Sequence, residues 1–280
     1  FRKQSGQFKR AMSDYQMALQ TLSSSDDIET RGVVLANTAI AFVDYSDMET
    51  VDSFFVESIQ IAGQLADRVA ESTRRGNYGW FLLVTGKPDR ALEMLEYALH
   101  LSEQLGLKTQ LAVQTDNIGL VYDEIGNYER AVYYHAKAWE LLSGSEEIHW
   151  RGIVSANLGN SLVSLGKDDE AQKLLDVALE SGRNQDDNEV IVRALIGLVR
   201  LNMKDEFVGH IGKWLDEAQT RAEALHSRRL LGDIYALRSQ YEAKIGNLDV
   251  SRLAWEKVQI TFKLLGSPLS EAVPQWLAGA

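Results

Sequence analysis

Four asparagines stand forty residues apart along this chain: Asn37, Asn77, Asn117 and Asn157. A carboxamide carries a donor and an acceptor, so a row of them can pair with the main chain of an extended segment whatever its side chains. Each could also cap a turn or satisfy a neighbouring unit's backbone, although a mid-helix asparagine lowers helix propensity at every occurrence. Other candidate chemistry is thinner. Gly86-Lys87 and Gly166-Lys167 look like the end of a phosphate loop, but Phe81 and Ser161 stand where its first glycine would be. The five histidines (His100, His135, His149, His210 and His226) include no pair at zinc-ligand spacing. His135 is expected as a packed core residue. The carboxylates are expected on exposed faces, with no apolar pocket to raise a pKa. No metal, cofactor or catalytic residue is expected, and the chain is read as non-enzymatic.

The elements that must position these residues follow from the same period. One small-residue series reads Ala18, Ser58, Ala98, Ala138, Ala178, Ala218 and Val258, and another Ala11, Val51, Ala91, Ala131, Ala171, Ile211 and Ser251. Between them runs a bulky column: Tyr15, Phe55, Leu95, His135, Leu175, Leu215 and Trp255. A third series, Gly6, Ser46, Gly86, Gly126, Gly166, Glu206 and Gly246, marks the expected turns. A fixed period of this length is the signature of a solenoid, whose units bury their apolar faces only by stacking on neighbours.

Composition narrows the class. Hydrophobic content of 45% and charged content of 25% are those of a globular protein, and no apolar run approaches the roughly 20 residues of a membrane helix. The net charge of −11 argues against a general nucleic-acid binder, which needs a basic face. Absence of cysteine excludes disulfides, thiolate metal sites and a cysteine nucleophile, and agrees with a reducing cytoplasm. The chain is expected to open at the turn before a second helix, as a fragment of a longer protein.

The clearest unit, Leu111 to Trp139, places Val113, Ile118, Gly119, Val121 and Tyr122 at helical spacing, breaks at Gly126-Asn127, and resumes with Tyr128, Ala131, Tyr134, His135 and Ala138 on one face. Pro88 falls in the first turn of its helix, where the missing N–H is tolerated. No stretch alternates with period two, so no sheet is expected. The unit resembles the tetratricopeptide repeat: Gly79, Gly119 and Gly159 match its eighth position, Ala91, Ala131 and Ala171 the twentieth, and Ala98, Ala138 and Ala178 the twenty-seventh. It departs from that pattern in its forty-residue period, against about 34, and in lacking the closing proline. Forty-residue arrays of this kind resemble those of kinesin light chain, bacterial peptide-sensing regulators and the sensor arms of bacterial signalling NTPases.

The resemblance implies an all-α, right-handed superhelix of antiparallel helix pairs over residues 1–263, as a half repeat plus six, with 264–280 as cap or linker. A local irregularity is expected near Asn202 to Glu206, where Gly197 suggests a two-residue slip. The resemblance also puts the first helix of each unit on a concave wall and points the asparagine ladder into it. Flanking groove positions are then Asp44, Trp80, Asp116, Asp123 and Glu124 in the first half, and Arg193, Arg200, Lys204 and Lys244 in the second, so the wall is expected to change sign near the fifth repeat. The expected function is capture of a protein or peptide segment in that groove, by the sensor or scaffold arm of a larger cytoplasmic protein. The alternative is a structural spacer or self-association module with an empty groove.

Overall fold

The computed structural model describes residues 2–23, 27–43, 47–204, 209–267 and 274. Thirteen helices and no strand occur among them. They are α1 (Arg2–Ser23), α2 (Ile28–Phe42), α3 (Met48–Gln64), α4 (Arg68–Val84), α5 (Pro88–Leu105), α6 (Lys108–Glu124), α7 (Tyr128–Leu141), α8 (Ile148–Ser164), α9 (Asp168–Gln185), α10 (Asn188–Asn202), α11 (Ile211–Leu225), α12 (Arg228–Lys244) and α13 (Leu248–Leu264). From α2 onward the helices form antiparallel pairs, and each pair stacks on the next. The array is an all-helical, right-handed superhelix, as the forty-residue period predicts.

Small residues explain the close approach within each pair. Ala91, Ala131, Ala171, Ala98, Ala138 and Ala178 are wholly buried. A Cβ added to Gly79, Gly119 or Gly159 would stand 2.6–2.7 Å from Leu95, His135 or Leu175, closer than van der Waals contact allows. The bulky column therefore fills the space that these glycines vacate.

Turns within the pairs fall at Gly86, Gly126, Gly166 and Gly246, with φ of 74°, 77°, 74° and 88°, a region that favours glycine. The turn expected at Gly6 does not exist: α1 runs unbroken through that position, so the chain does not open at a turn. Those expected at Ser46 and Glu206 lie outside the described residues. A second positive-φ series closes the second helices: Ala66, Gly106, Asp186, His226 and Gly266 fall at multiples of forty, and Gly144 serves the remaining joint two residues early. The joints at Gly106, Gly144, Gly182 to Asn188 and Gly266 are expected from the sequence; Ala66 and His226 are not. Gly182 sits inside α9, whose C-cap is Asp186.

Gly197 is not a slipped copy of the small position. Gly159 packs on Leu175 of its own pair, whereas Gly197 meets the same Leu175 from the following one. At the C-terminal end, α13 stops at Leu264, and of the expected cap only 264–267 and 274 are described. A Cβ on Gly266 would lie 4.0 Å from Met48 Cγ at the start of α3, so the superhelix comes round on itself.

Candidate binding groove

The first helices of five successive pairs, α4, α6, α8, α10 and α12, wall a cavity of about 530 Å³. One column supplies its floor at intervals of forty: Trp80, Leu120, Asn160, Arg200 and Gln240. A residue one helical turn further on lies on the same face. Accordingly Leu83, Asp123, Val163 and Met203 form a second row. Side chains of different chemistry at equivalent positions give the groove a sequence of its own, apolar at Trp80 and Leu120, polar and cationic at Asn160 and Arg200.

The asparagine ladder lies one turn away from this floor. Asn37 is exposed, Asn77 and Asn117 are half-buried, and none of the three lines the cavity or makes a hydrogen bond within the described residues. Asn157 does reach the cavity wall, but it is buried and both its functions are taken. Its Nδ2 donates to Asp116 Oδ2 at 2.8 Å, and its Oδ1 accepts from Arg193 Nη1 at 3.2 Å. That rung braces three neighbouring helices and is not open to a ligand.

Asp116 requires a correction. It was expected in the groove, with carboxylates generally on exposed faces, yet it is only 4% exposed and buried between pairs. Its partner is His135, which sits in the core column as expected but carries charge there. His135 Nδ1 lies 2.6 Å from Asp116 Oδ1 and Nε2 lies 3.1 Å from Asp123 Oδ2. Burial pushes the imidazole pKa down; the charge and hydrogen bond of Asp116, joined by Asp123, outweigh it and carry the value up to about 9. Both ring nitrogens thus donate, and Asp123 also accepts from Ser161 Oγ at 2.8 Å. In the flanking repeats the three positions hold Gly76, Leu83 and Leu95, or Ala156, Val163 and Leu175. A joint swap of three apolar positions for one histidine and two carboxylates was the legible sign of this network.

The expected change of sign along the wall is largely cancelled by internal pairing. Glu124 accepts from Arg229 Nη2 at 2.8 Å across the groove, between helices three repeats apart. Asp233, and then Glu124, outweigh burial and hold the Arg229 guanidinium pKa above its ordinary value. Arg193 pairs with Glu189 at 2.8 Å, and Lys204 with Asp168 at 2.5 Å. Lys244 donates to the Met203 carbonyl at 2.6 Å, and Asp44 lies outside the described residues. Of the cations that line the cavity, Arg200 alone has no partner among the described residues.

Asn160, which the sequence did not single out, carries the second unmatched group among the described residues. Its Nδ2 donates to the carbonyls of Ala156 (2.8 Å) and Arg193 (3.1 Å), while its Oδ1 is buried without a partner. An orphaned buried acceptor costs about 1–3 kcal/mol. No group of three or more metal-ligating side chains occurs among the described residues, and no helix there is long and apolar enough to cross a membrane.

Paired helices in a right-handed coil around a concave groove define a tetratricopeptide-type α-solenoid. No family model matches the chain, and no curated protein matches it by sequence. Among solved structures, the chain is similar to a Rap protein complexed with competence and sporulation factor, at 18% identity and a TM-score of 0.75, covering 94% of this chain and 72% of that one. It is also similar to aspartyl phosphate phosphatase F from Bacillus subtilis, at 14% identity and a TM-score of 0.72 over 94% and 67% of the two chains. A third is the Rap conjugation gene regulator of the plasmid pLS20 in complex with the Phr* peptide, at 20% identity and a TM-score of 0.69 over 94% and 73%. At these identities the likeness is one of fold.

Proposed function

We propose that the groove captures an extended peptide segment, with an apolar residue against Trp80 and Leu120 and an acidic group against Arg200. The observation that carries this reading is the floor column, in which the Arg200 guanidinium and, one repeat away, the Asn160 Oδ1 acceptor have no partner among the described residues. A peptide main chain would supply an N–H for Asn160 Oδ1, and a carboxylate a bidentate partner for Arg200. Two of the similar structures are complexes, one of them with a peptide, which supports peptide capture by this fold. The half-buried Asn77 and Asn117, one turn from the floor, would hold flanking main chain. The chain acts here as a non-catalytic sensor or scaffold arm: His135, Asp123 and Glu124, the groups best placed for acid–base work, are already engaged with one another or with Arg229. Absence of cysteine suits a cytoplasmic setting.

A randomised short-peptide library selected on the purified chain tests this. Enrichment of an acidic position that turns basic with Arg200→Glu supports the reading. Either no enrichment, or enrichment indifferent to Arg200→Glu and to Asn160→Leu, overturns it and leaves the spacer role.

A further inference from the structure

We propose that the chain forms a two-fold dimer through the convex face of α13, paired antiparallel with the same helix of a second copy. Second helices present the same five positions outward in repeat after repeat, and those positions are mostly polar. Where the earlier repeats have Ser53, Glu93, Tyr133, Lys173 and Lys213, α13 has Leu253; where they have Gln60, His100, Glu140, Glu180 and Thr220, it has Ile260. Val250 and Leu264 complete the set, with exposures of 46%, 58%, 61% and 52% in chain order. Val250, Leu253, Lys257, Ile260 and Leu264 alternate by three and four residues, the spacing of a helix–helix seam. The one polar member is turned aside, with Lys257 Nζ lying 5.2 Å over the Tyr235 ring.

This stripe is not the bare end of the array, since the surface a further repeat would cover lies on the neighbouring positions Arg252 and Trp255. It belongs to the outer face, where no described residue covers it.

Charge selects the occupant and its direction. Asp249 stands at the start of the helix and Lys263 at its end, on one edge of the stripe. Antiparallel pairing about an axis near Lys257 brings Asp249 of each copy, which also pairs with Arg252 of its own helix at 3.6 Å, close to Lys263 of the other. Basic and acidic residues are mixed around the stripe (Arg252, Lys257 and Lys263 with Asp249 and Glu256), which does not suit an anionic lipid surface. With Ile245 and Leu248 adjoining, two copies would hide on the order of 1,000 Å² in all, the lower bound for a specific interface. The contact is self-complementary, as a closed two-fold requires.

Sedimentation of the full chain over a concentration series provides the test. The expected result is a monomer–dimer equilibrium whose Kd rises at least about tenfold in Leu253→Ser/Ile260→Thr, a change to residue types that other repeats already carry there. Because the chain has no cysteine, direction can be read by oxidation: Lys257→Cys should cross-link to itself, Val250→Cys alone should not, and Val250→Cys/Leu264→Cys should. A monomer at every concentration, whether the face is bare or taken by another segment, overturns the proposal. So does a dimer that survives the double substitution, or one that cross-links through Val250→Cys alone.

Discussion

His135 shows how one side chain ties stability to pH. Its folded pKa of about 9 stands above the ordinary 6.5. The stabilisation is therefore complete below about pH 6.5 and is lost as pH rises through 9, amounting to a few kcal/mol at about 1.4 kcal/mol per unit. Urea midpoints measured from pH 6 to pH 10 should fall across that window, and His135→Leu should abolish the fall. On its own that variant strands Asp116 in the core and should cost about 3–5 kcal/mol, as breaking a buried pair does. His135→Leu/Asp116→Ala/Asp123→Val, which copies the next repeat, should recover most of the loss, because buried ion pairs are often replaceable by well-packed apolar groups. The sequence read His135 as core but not as charged. A column average hides a coordinated exception, and only comparison of all three columns in one repeat exposes it.

Among the elements, the helices and intra-pair turns were legible because glycine and alanine recur where backbones must touch or φ must be positive. The joints at Ala66 and His226 were not, because these residues take the left-handed conformation without being glycine. Such residues carry strain of about 1 kcal/mol. Ala66→Gly should accordingly stabilise the array by roughly 0.5–1 kcal/mol, read as a rise in urea midpoint at unchanged slope. In the other direction, Ala131→Leu places a large side chain at a wholly buried contact and should destabilise by about 1–3 kcal/mol. The floor of the groove was legible only in part: Trp80 and Arg200 were expected there, whereas Leu120, Asn160 and Gln240 were not. Four identical asparagines draw the eye more than a column of five different residues, yet a surface that reads side chains must vary from repeat to repeat. Identity at fixed spacing marks what the fold repeats; variation at fixed spacing marks what it presents.

At the scale of the whole molecule, repeat arrays ordinarily couple only neighbour to neighbour. The bond between Glu124 and Arg229 spans 105 residues and joins α6 to α12 across the groove. Glu124→Ala should raise hydrogen exchange in α6 and α12 together while leaving α2 and α3 near their original protection. A rise confined to α6 would show that the bond transmits nothing. The same bond gives the molecule a mechanical character. An α-solenoid is a spring whose small rotation between pairs sets its pitch, and Glu124–Arg229 is a strut tied between coils of that spring. Pulled from its ends, the chain cannot lengthen evenly: the coils outside the strut yield first, those inside are held at fixed rise until the strut parts, and the groove they enclose keeps its width under loads that have already drawn out the rest.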